Sequence, residues 1–241
     1  MQDIKHSDLV LEVGSGHNPH MRSDVLLDLF EEDTPEQHRG GTKATVDRPF
    51  VKADICNMPF KDKVFDYVIA IHILEHIPNI KKAISEITRV GKRGYIIVPS
   101  ELNEYLHPSD THMWFCSRDR GRLVFKKKPK NWRSPFGNLF HYLWNNDQEY
   151  FRFYQHHLGI YHLHFPWKGE IKSRVEKYSL PSMEKWGVKS IARPTGRGII
   201  RDLCPHWLQV RIGKSDIYPK LKTMIGKPYR RRKIVLDNLL K

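Results

Sequence analysis

The 241-residue sequence has few cysteines and no long hydrophobic run. Its three cysteines, Cys56, Cys116 and Cys204, are far apart and odd in number, which argues against a disulfide framework and a paired-cysteine metal site. No stretch approaches the ~20 consecutive apolar residues that a membrane-spanning helix needs. The first residues also lack the apolar core of a secretory signal. We therefore expect a cytoplasmic protein without a transmembrane segment.

Two nucleotide-binding motifs are missing as well. No GxxxxGK[ST] phosphate-binding loop occurs anywhere in the chain. In the dinucleotide motif GxGxxG, Gly14 and Gly16 would be the first two glycines. The third glycine would have to stand at the position that Pro19 occupies. The sequence thus excludes a P-loop nucleotide hydrolase and disfavours a dinucleotide-binding enzyme.

Charge is unevenly distributed along the chain. Residues 1–110 hold 13 Lys and Arg against 18 Asp and Glu, whereas residues 111–241 hold 28 against 9. All six tryptophans lie in residues 111–241. A basic surface favours anionic partners, which include nucleic acid, an anionic membrane face or an acidic substrate, although some basic surfaces only confer solubility.

Short apolar segments with polar residues at their carboxyl ends predict a parallel, doubly wound α/β sheet. The predicted strands of this part are residues 8–13, 24–28, 50–55, 65–71 and 94–99. Residues 78–90 predict a helix, because apolar residues recur at helical spacing between Pro78 and Gly91. Two later strands, 122–127 and 206–212, are predicted to form the antiparallel edge of the sheet.

The connection after the first strand is unusually short. Only seven residues separate Gly16 from Asp24, too few for a full crossover helix. We expect the first helix to be cut to about one turn, beginning at Pro19.

Residues 131–200 are rich in aromatic residues and contain five histidines, His141, His156, His157, His162 and His164. We interpret this region as an inserted, partly helical cap whose aromatic rings form a small core of their own or stack on a substrate. The predicted domains are a binding core over residues 1–128, the cap over 129–202, and the last sheet strand with a basic tail over 203–241.

Two carboxylates follow successive strands of the predicted sheet. Ligands of such sheets bind outside the carboxyl ends of the strands, where Gly14 and Gly16 allow a sharp turn and close approach. Asp28 ends the second strand and can accept hydrogen bonds from two ribose hydroxyls, and Asp54 ends the third and can accept from an adenine amine. Together these residues describe an adenosine pocket.

Four segments occur in the order found in a known family: VLEVGSGHNPH, the acid of VLLD, ADICNMPFKDKVFDYVIAIHILEHIPN and RVGKRGYIIVPS. Over roughly residues 8–120 the chain resembles the class I methyltransferases of the type 11-like group. The resemblance implies S-adenosylmethionine as cofactor and a Rossmann-like sheet of seven strands, the last antiparallel. It also implies cofactor-binding residues, namely Glu12, Gly14, Ser15, Gly16, Asp28, Asp54, Ile55 and His72. The segment HNPH departs from the family, where many members have another glycine and a longer helix.

The segment HILEHIP places His72, Glu75 and His76 near the reactive edge of the sheet, with His107 or His112 in reach after the next strand. Two histidines and a carboxylate could bind a metal. The segment also resembles the ExxEH metal motif of some O-methyltransferases and RNA-end methyltransferases, with histidine in place of the first glutamate. Because LEH is common in metal-free members, we predict no metal here. His76 and His112 are the predicted catalytic bases, since imidazole titrates near neutral pH.

These observations predict a methyltransferase that acts on oxygen of a small anionic or carbohydrate-type acceptor. One alternative is an RNA methyltransferase, although no RNA-binding module is recognisable. The other is a non-catalytic binding protein of the same fold. The basic segment from Lys227 to Lys233 could hold phosphates or contact an anionic membrane peripherally.

Overall fold

A computed structural model describes residues 4–32, 42–178 and 234–241. All of these residues belong to one compact unit, which spans residues 1–178 and 230–241. Within the described residues no helix has the length and apolar character to cross a membrane. The predicted strand 206–212, the basic segment from Lys227 to Lys233 and the end of the predicted cap lie outside the described residues.

The main sheet has six described strands in the order β3-β2-β1-β4-β5-β8, and the first five are parallel. The bounds of these strands are Val10–Val13 (β1), Val25–Asp28 (β2), Phe50–Lys52 (β3), Tyr67–Ile71 (β4), Arg93–Pro99 (β5) and His162–Lys168 (β8). Strand β1 lies in the middle of the sheet, with β2 and β3 on one side and β4, β5 and β8 on the other. It confirms the Rossmann-like α/β fold and the first five predicted strands.

A second sheet has the order β6-β7-β9, with β6 at Trp114–Asp119, β7 at Arg122–Lys127 and β9 at Ser173–Glu176. Five helices complete the described part: α1 at Ile80–Val90, α2 at Glu101–Leu106, α3 at Gly137–Asn146, α4 at Gln148–His156 and α5 at Leu158–Tyr161. Single 3₁₀ turns occupy Leu74–His76 and Leu236–Asn238. Helices α3 to α5 lie between β7 and β8 in the chain, within the region predicted to form the cap.

The core consists of the central parallel strands and the inner face of α1. All residues of β1 and β2 are buried, as expected for strands that other elements cover on both faces. Helix α1 buries Ile80, Ala83, Ile87 and Val90 at helical spacing, and the Asn79 side chain caps it by accepting from the Lys82 N–H at 3.2 Å. The predicted helix is therefore confirmed, beginning two residues after Pro78.

The antiparallel edge of the sheet differs from the prediction. Residues 122–127 form a strand as predicted, but this strand pairs with β6 and β9 in the second sheet. The strand that runs antiparallel to β5 is His162–Lys168, which we had placed in the cap. Phe165 and Trp167 on β8 are buried against the core, which explains why this aromatic segment joins the main sheet.

The predicted single turn of helix at Pro19 is wrong. The described chain between Gly16 and Val25 contains only turns and bends. Side chains replace helical hydrogen bonds here: the Glu12 carboxylate accepts from the His20 N–H at 2.8 Å, and the Arg48 guanidinium donates to the carbonyls of His20 and Ser23 at 3.0 and 2.9 Å. Because these groups satisfy the backbone, the connection needs no helix.

Gly91 follows the last residue of α1, as predicted, but its backbone conformation does not require a glycine. Its φ is −107°, a value open to any residue. An added Cβ would lie 2.5 Å from Cγ2 of Val68 and 3.1 Å from the ring of Trp167. Gly91 is thus required because β4 and β8 pack directly against it.

We expect Gly94→Ala in β5 to lower the free energy of unfolding by about 2–3 kcal/mol. The new Cβ would lie 2.1 Å from the carbonyl oxygen of Val68, a backbone atom in the paired strand that cannot rotate away. Gly159→Ala in α5 is the matched control, because nothing lies within 4 Å of its Cβ position and alanine favours helix. Urea unfolding of both variants measures the difference. Equal stability of the two variants would contradict the packing described for β4 and β5.

Candidate active site at the carboxyl edge of the sheet

The turn after β1 is built by two glycines with left-handed backbone conformations. Gly14 has φ 65° and Gly16 has φ 55°, a region that residues with a Cβ rarely adopt. The N–H groups of Gly14 and Ser15 donate to the carbonyl of Leu27 at 2.8 and 3.3 Å. These contacts hold the turn at the carboxyl ends of β1 and β2, where the sequence predicts the cofactor site.

Asp28 at the end of β2 holds the same turn from the other side. One carboxylate oxygen accepts from the Gly16 N–H at 2.9 Å, and the other accepts from the Phe30 N–H at 3.1 Å. Asp28 is only 4% exposed. The structure therefore brings Gly16 and Asp28 together as predicted, and it adds a bracing role that the sequence did not indicate.

Glu12 is almost fully buried and stabilises the short connection described above. In addition to the His20 N–H it accepts a hydrogen bond from the Ser23 hydroxyl. Burial raises the pKa of its carboxyl above the ordinary value, and the hydrogen bonds from Ser23 and His20 offset only part of this effect. The predicted place of Glu12 near the methionine end of the cofactor stays a prediction.

The loop after β4 packs on the glycine turn. A Cβ on Gly14 would lie 2.6 Å from Cγ1 of Ile73, so the space that the glycine leaves open is filled by this side chain. Next to it, the buried hydroxyl of Ser15 has no hydrogen-bond partner within the described part of the chain. A buried polar group without a partner is costly, so Ser15 is suited to a bound ligand.

The predicted adenine residues follow β3. Ile55 is buried, whereas Asp54 is exposed at the surface. Oδ1 of Asp54 accepts from the Cys56 N–H at 2.7 Å, which fixes the orientation of the carboxylate. The exposed carboxylate is suited to the amine at the edge of an adenine ring, and the buried aliphatic side chain is suited to the face of the ring.

His72 directly follows β4 and has φ 49°, which is unusual for a residue with a side chain. Its Nδ1 lies 3.2 Å from Oε1 of Glu75, and its ring centroid lies 4.7 Å from that of His162. Burial, followed by the charges of His72 and His164, lowers the pKa of His162 to about 4. His162 is therefore neutral near pH 7.

The two predicted catalytic histidines lie side by side. The rings of His76 and His112 have centroids 4.8 Å apart and meet edge to face at 80°. His112 Nδ1 contacts Oε1 of the buried Glu104, and His76 is hydrogen-bonded to the backbone of Thr111. Burial lowers the pKa of His76 below its ordinary value although Glu75 opposes the shift.

Glu75 is fully buried beside these imidazoles. Burial alone would raise the pKa of its carboxyl, but the hydrogen bond from His72 and the charges of the nearby histidines bring the pKa below the ordinary value. Its Oε2 has no hydrogen-bond partner among the described residues. Glu75, His76 and His112 each offer one metal-ligating atom, and these atoms lie within 4.8 Å of one another.

Two lysines near His112 are already paired with carboxylates. Lys128 Nζ lies 2.8 Å from Glu104, with both side chains nearly inaccessible to solvent, and Lys126 Nζ lies 2.9 Å from Glu101. Lys128 also lies over the rings of Phe115 and Trp132 at 5.8 and 5.0 Å. Lys128 therefore shares the Glu104 carboxylate with His112, and its charge is compensated within the fold.

His107 has a different environment from His112. Its Nε2 lies 2.6 Å from the hydroxyl of Tyr150, and its ring is surrounded by aromatic side chains from α3, α4 and α5. These neighbours are Phe140, Trp144, Tyr150, Tyr154 and Tyr161. The structure therefore assigns His112, and not His107, to the cluster with His76. The aromatic side chains of α3, α4 and α5 gather around this histidine at the end of α2.

Sequence reasoning missed Glu104 and Thr111, which orient the two histidines. Glu104 lies on the short helix α2 and is fully buried. An acidic residue in a short amphipathic segment is most often exposed, so the sequence carries no signal for this role.

Comparison with known proteins identifies the part of the chain that carries this site. Residues 11–98 match the family model described as a methyltransferase domain. A 45-residue segment is 49% identical to the sterol 24-C-methyltransferase of Schizosaccharomyces pombe and covers 19% of this chain and 12% of that protein. A 62-residue segment is 39% identical to the ajmaline N-methyltransferase of Rauvolfia serpentina and covers 25% and 21%. The matched segments thus span only 12% and 21% of the length of these two relatives.

Among solved structures, the YcgJ protein of Bacillus subtilis aligns with a TM-score of 0.31 at 18% identity, over 46% of this chain and 57% of that one. The matched family uses S-adenosylmethionine, and the glycine turn, Asp28 and the unpartnered Ser15 hydroxyl fit this cofactor. Residues 11–98 are therefore similar to the methyltransferase-domain family, which agrees with the predicted class I S-adenosylmethionine-dependent methyltransferase of the type 11-like group.

Proposed function

We propose that the chain transfers the methyl group of S-adenosylmethionine to an oxygen, or less favourably a nitrogen, of a small anionic or carbohydrate-type acceptor. The observation that carries this proposal is the 2.9 Å hydrogen bond between the Gly16 N–H and Asp28. This hydrogen bond joins two of the residues that the family resemblance assigns to the cofactor. It lies at the edge of the sheet where ligands of such folds bind.

The proposed cofactor contacts follow the carboxyl edge of the sheet. Gly14, Ser15 and Gly16 would hold the methionine part, with Glu12 and His72 near it. Asp28 would accept from the ribose hydroxyls, and Asp54 and Ile55 would bind the adenine. When bound, the cofactor supplies a methyl group already activated on a sulfonium, so that in-line placement of the acceptor provides much of the rate enhancement.

We assign the role of general base toward the acceptor to His76 or His112. Their loops adjoin the glycine turn, because Ile73 packs on Gly14 and the backbone of Met113 donates to the Glu75 carbonyl at 2.7 Å. The lowered pKa of His76 keeps this imidazole neutral near pH 7, as a base requires. One of the two imidazoles would take the proton that an acceptor hydroxyl loses as it attacks the methyl group.

The acceptor class is supported by composition rather than by the relatives. The two relatives are named for a sterol carbon and an alkaloid nitrogen as acceptors, so they share the methyl donor and not the acceptor. Residues 111–241 hold 28 Lys and Arg against 9 Asp and Glu, which favours an anionic acceptor.

The test is to measure S-adenosylhomocysteine formation with a panel of phosphorylated or carboxylated sugars, each paired with its neutral counterpart. We expect kcat/KM to be about 10–100-fold higher for the charged member, the effect of one charge-assisted hydrogen bond. Equal turnover of both members would contradict the anionic class. Turnover only with RNA, with binding that weakens steeply as salt is added, would favour the RNA methyltransferase instead.

A further inference from the structure

The cluster of Glu75, His76 and His112 has features that a pair of catalytic bases does not explain. Glu75 and His76 belong to the 3₁₀ turn after β4, and His112 lies just before β6. Glu75 is completely inaccessible to solvent, and the two histidines are partly buried. Two separate segments of the chain therefore place three potential metal ligands at one point of the sheet edge.

The first unexplained feature is the carboxylate of Glu75. Oε1 contacts Nδ1 of His72 at 3.2 Å, but Oε2 is buried without a hydrogen-bond partner among the described residues. A buried charged oxygen is costly unless a cation or a donor compensates for it. Because His76 and His112 also offer ligand atoms within 4.8 Å of the Glu75 carboxylate, a cation shared with them would compensate this charge.

The second feature is that each imidazole uses one ring nitrogen for a contact with an acceptor group of the protein. Nδ1 of His112 contacts the Glu104 carboxylate, which leaves Nε2 as the available ring nitrogen. His76 is engaged in the same way by the backbone of Thr111. Metal-binding histidines almost always use their second ring nitrogen for a carboxylate or a backbone carbonyl, which orients the ring and makes it a better ligand.

The geometry is close to that of a bound ion. The three ligand atoms lie within 4.8 Å of one another, whereas bonds of about 2.0–2.2 Å to one ion place such atoms about 3.3 Å apart. Binding of an ion would require the two partly buried imidazoles to rotate towards Glu75. Glu75 need not move, because it is fixed by burial and by His72.

We propose that Glu75, His76 and His112 bind one divalent transition-metal ion, with Glu104 and the Thr111 backbone as positioning groups. Two imidazoles and one carboxylate suit zinc, and also iron or cobalt, better than magnesium or calcium, which prefer oxygen ligands. Three protein ligands leave at least one position of the ion open. An acceptor oxygen could occupy that position next to the glycine turn, and both imidazoles would then act as ligands rather than as bases.

The experiment uses the untagged full chain, freed of metal with a chelator and then dialysed. Titration with Co²⁺ is followed by visible absorption, and titration with Zn²⁺ by calorimetry, with Mg²⁺ as a comparison. We expect one Zn²⁺ per chain with a dissociation constant in the micromolar range or below, a Co²⁺ spectrum typical of nitrogen and oxygen ligands, and no comparable binding of Mg²⁺.

Variants identify the ligands. Glu75→Gln and His112→Gln are expected to weaken Zn²⁺ binding at least ~100-fold, and Glu104→Gln ~10–100-fold through loss of the positioning contact. His156→Gln is the matched control: among the described residues this exposed histidine hydrogen-bonds the carbonyl of Arg152 in its own helix, and the variant should bind Zn²⁺ like the parent. Thermal unfolding in chelator shows which variants are folded, and only these are compared.

Absence of Zn²⁺ and Co²⁺ binding to the folded parent chain would overturn the proposal, and so would unchanged binding in both folded Glu75→Gln and His112→Gln. These measurements contain neither S-adenosylmethionine nor an acceptor. Failure of the metal proposal therefore leaves the proposed methyl transfer untouched, and failure of methyl transfer leaves the metal proposal untouched.

Discussion

Asp28→Asn is expected to weaken the binding of S-adenosylmethionine by about 100-fold or more. The carboxylate accepts from the N–H groups of Gly16 and Phe30 and is the proposed partner of the ribose hydroxyls. Charge-assisted hydrogen bonds contribute about 1.5–3 kcal/mol each, and an asparagine would turn an N–H donor towards one of the backbone donors. Loss of about 3 kcal/mol corresponds to a factor of more than 100 in the dissociation constant.

Calorimetric titration of the variant with S-adenosylmethionine measures this effect. Asp62→Asn is the control, because Asp62 is largely exposed and pairs only with Arg89 at the far end of α1. A melting temperature measured for both variants separates loss of the pocket from loss of the fold. If folded Asp28→Asn bound the cofactor as tightly as the parent chain, the assignment of the pocket would be wrong.

Glu104→Ala is expected to lower the free energy of unfolding by about 3–5 kcal/mol. Glu104 is completely buried and contacts both His112 and Lys128, whose side chain is only 9% exposed. Removing one partner of a buried ion pair leaves the other charge in a poorly solvated environment. Lys128 would retain only the carbonyl of Ser109 at 2.9 Å and the two aromatic faces.

The matched control is Glu101→Ala in the same helix, which breaks a pair with Lys126 in which each side chain is about a fifth exposed. Its expected cost is about 1 kcal/mol or less. Urea unfolding gives both values, and the double variant Glu104→Met with Lys128→Met should regain much of the lost stability because no unpaired charge remains. If Glu104→Ala and Glu101→Ala lowered the free energy of unfolding by the same amount, burial of the Glu104–Lys128 pair would not be what makes it important for stability.

The parallel half of the sheet was predictable because its signals are local. Each of its strands is a short apolar run bounded by polar residues or glycine, and α1 shows apolar residues at helical spacing. The pairing of Gly16 with Asp28 followed from the rule that ligands bind at the carboxyl edge of such sheets. These features depend on residues that lie near one another in the chain or on a general property of the fold.

The antiparallel edge was not predictable in the same way, because the choice of an edge strand depends on distant packing. Residues 162–168 are dense in aromatics and histidines, which suggested a cap. In the structure Phe165 and Trp167 alternate with exposed residues, and Trp167 fills the space beside Gly91 and Gly94. The alternation of buried and exposed residues at a period of two was the available signal.

Part of the site also depends on long-range contacts. The sequence predicted that His76 would lie near either His107 or His112, and only folding decides between them. His107 is held by Tyr150 and the surrounding aromatic rings, whereas Glu104 holds His112 against His76. The bounds predicted for the three domains stay predictions, as do the seventh strand, the cap and the role of the basic tail.

The central claim is that the glycine turn and the two acids bind S-adenosylmethionine. The most direct test is calorimetric titration of the purified chain with S-adenosylmethionine and S-adenosylhomocysteine, with NAD as the control ligand. We expect S-adenosylmethionine and S-adenosylhomocysteine to bind in the micromolar range. We expect no binding of NAD, because Pro19 stands where a dinucleotide-binding turn needs glycine. Absence of binding of both methyl-donor ligands to the folded chain would contradict the claim and favour a non-catalytic protein of the same fold.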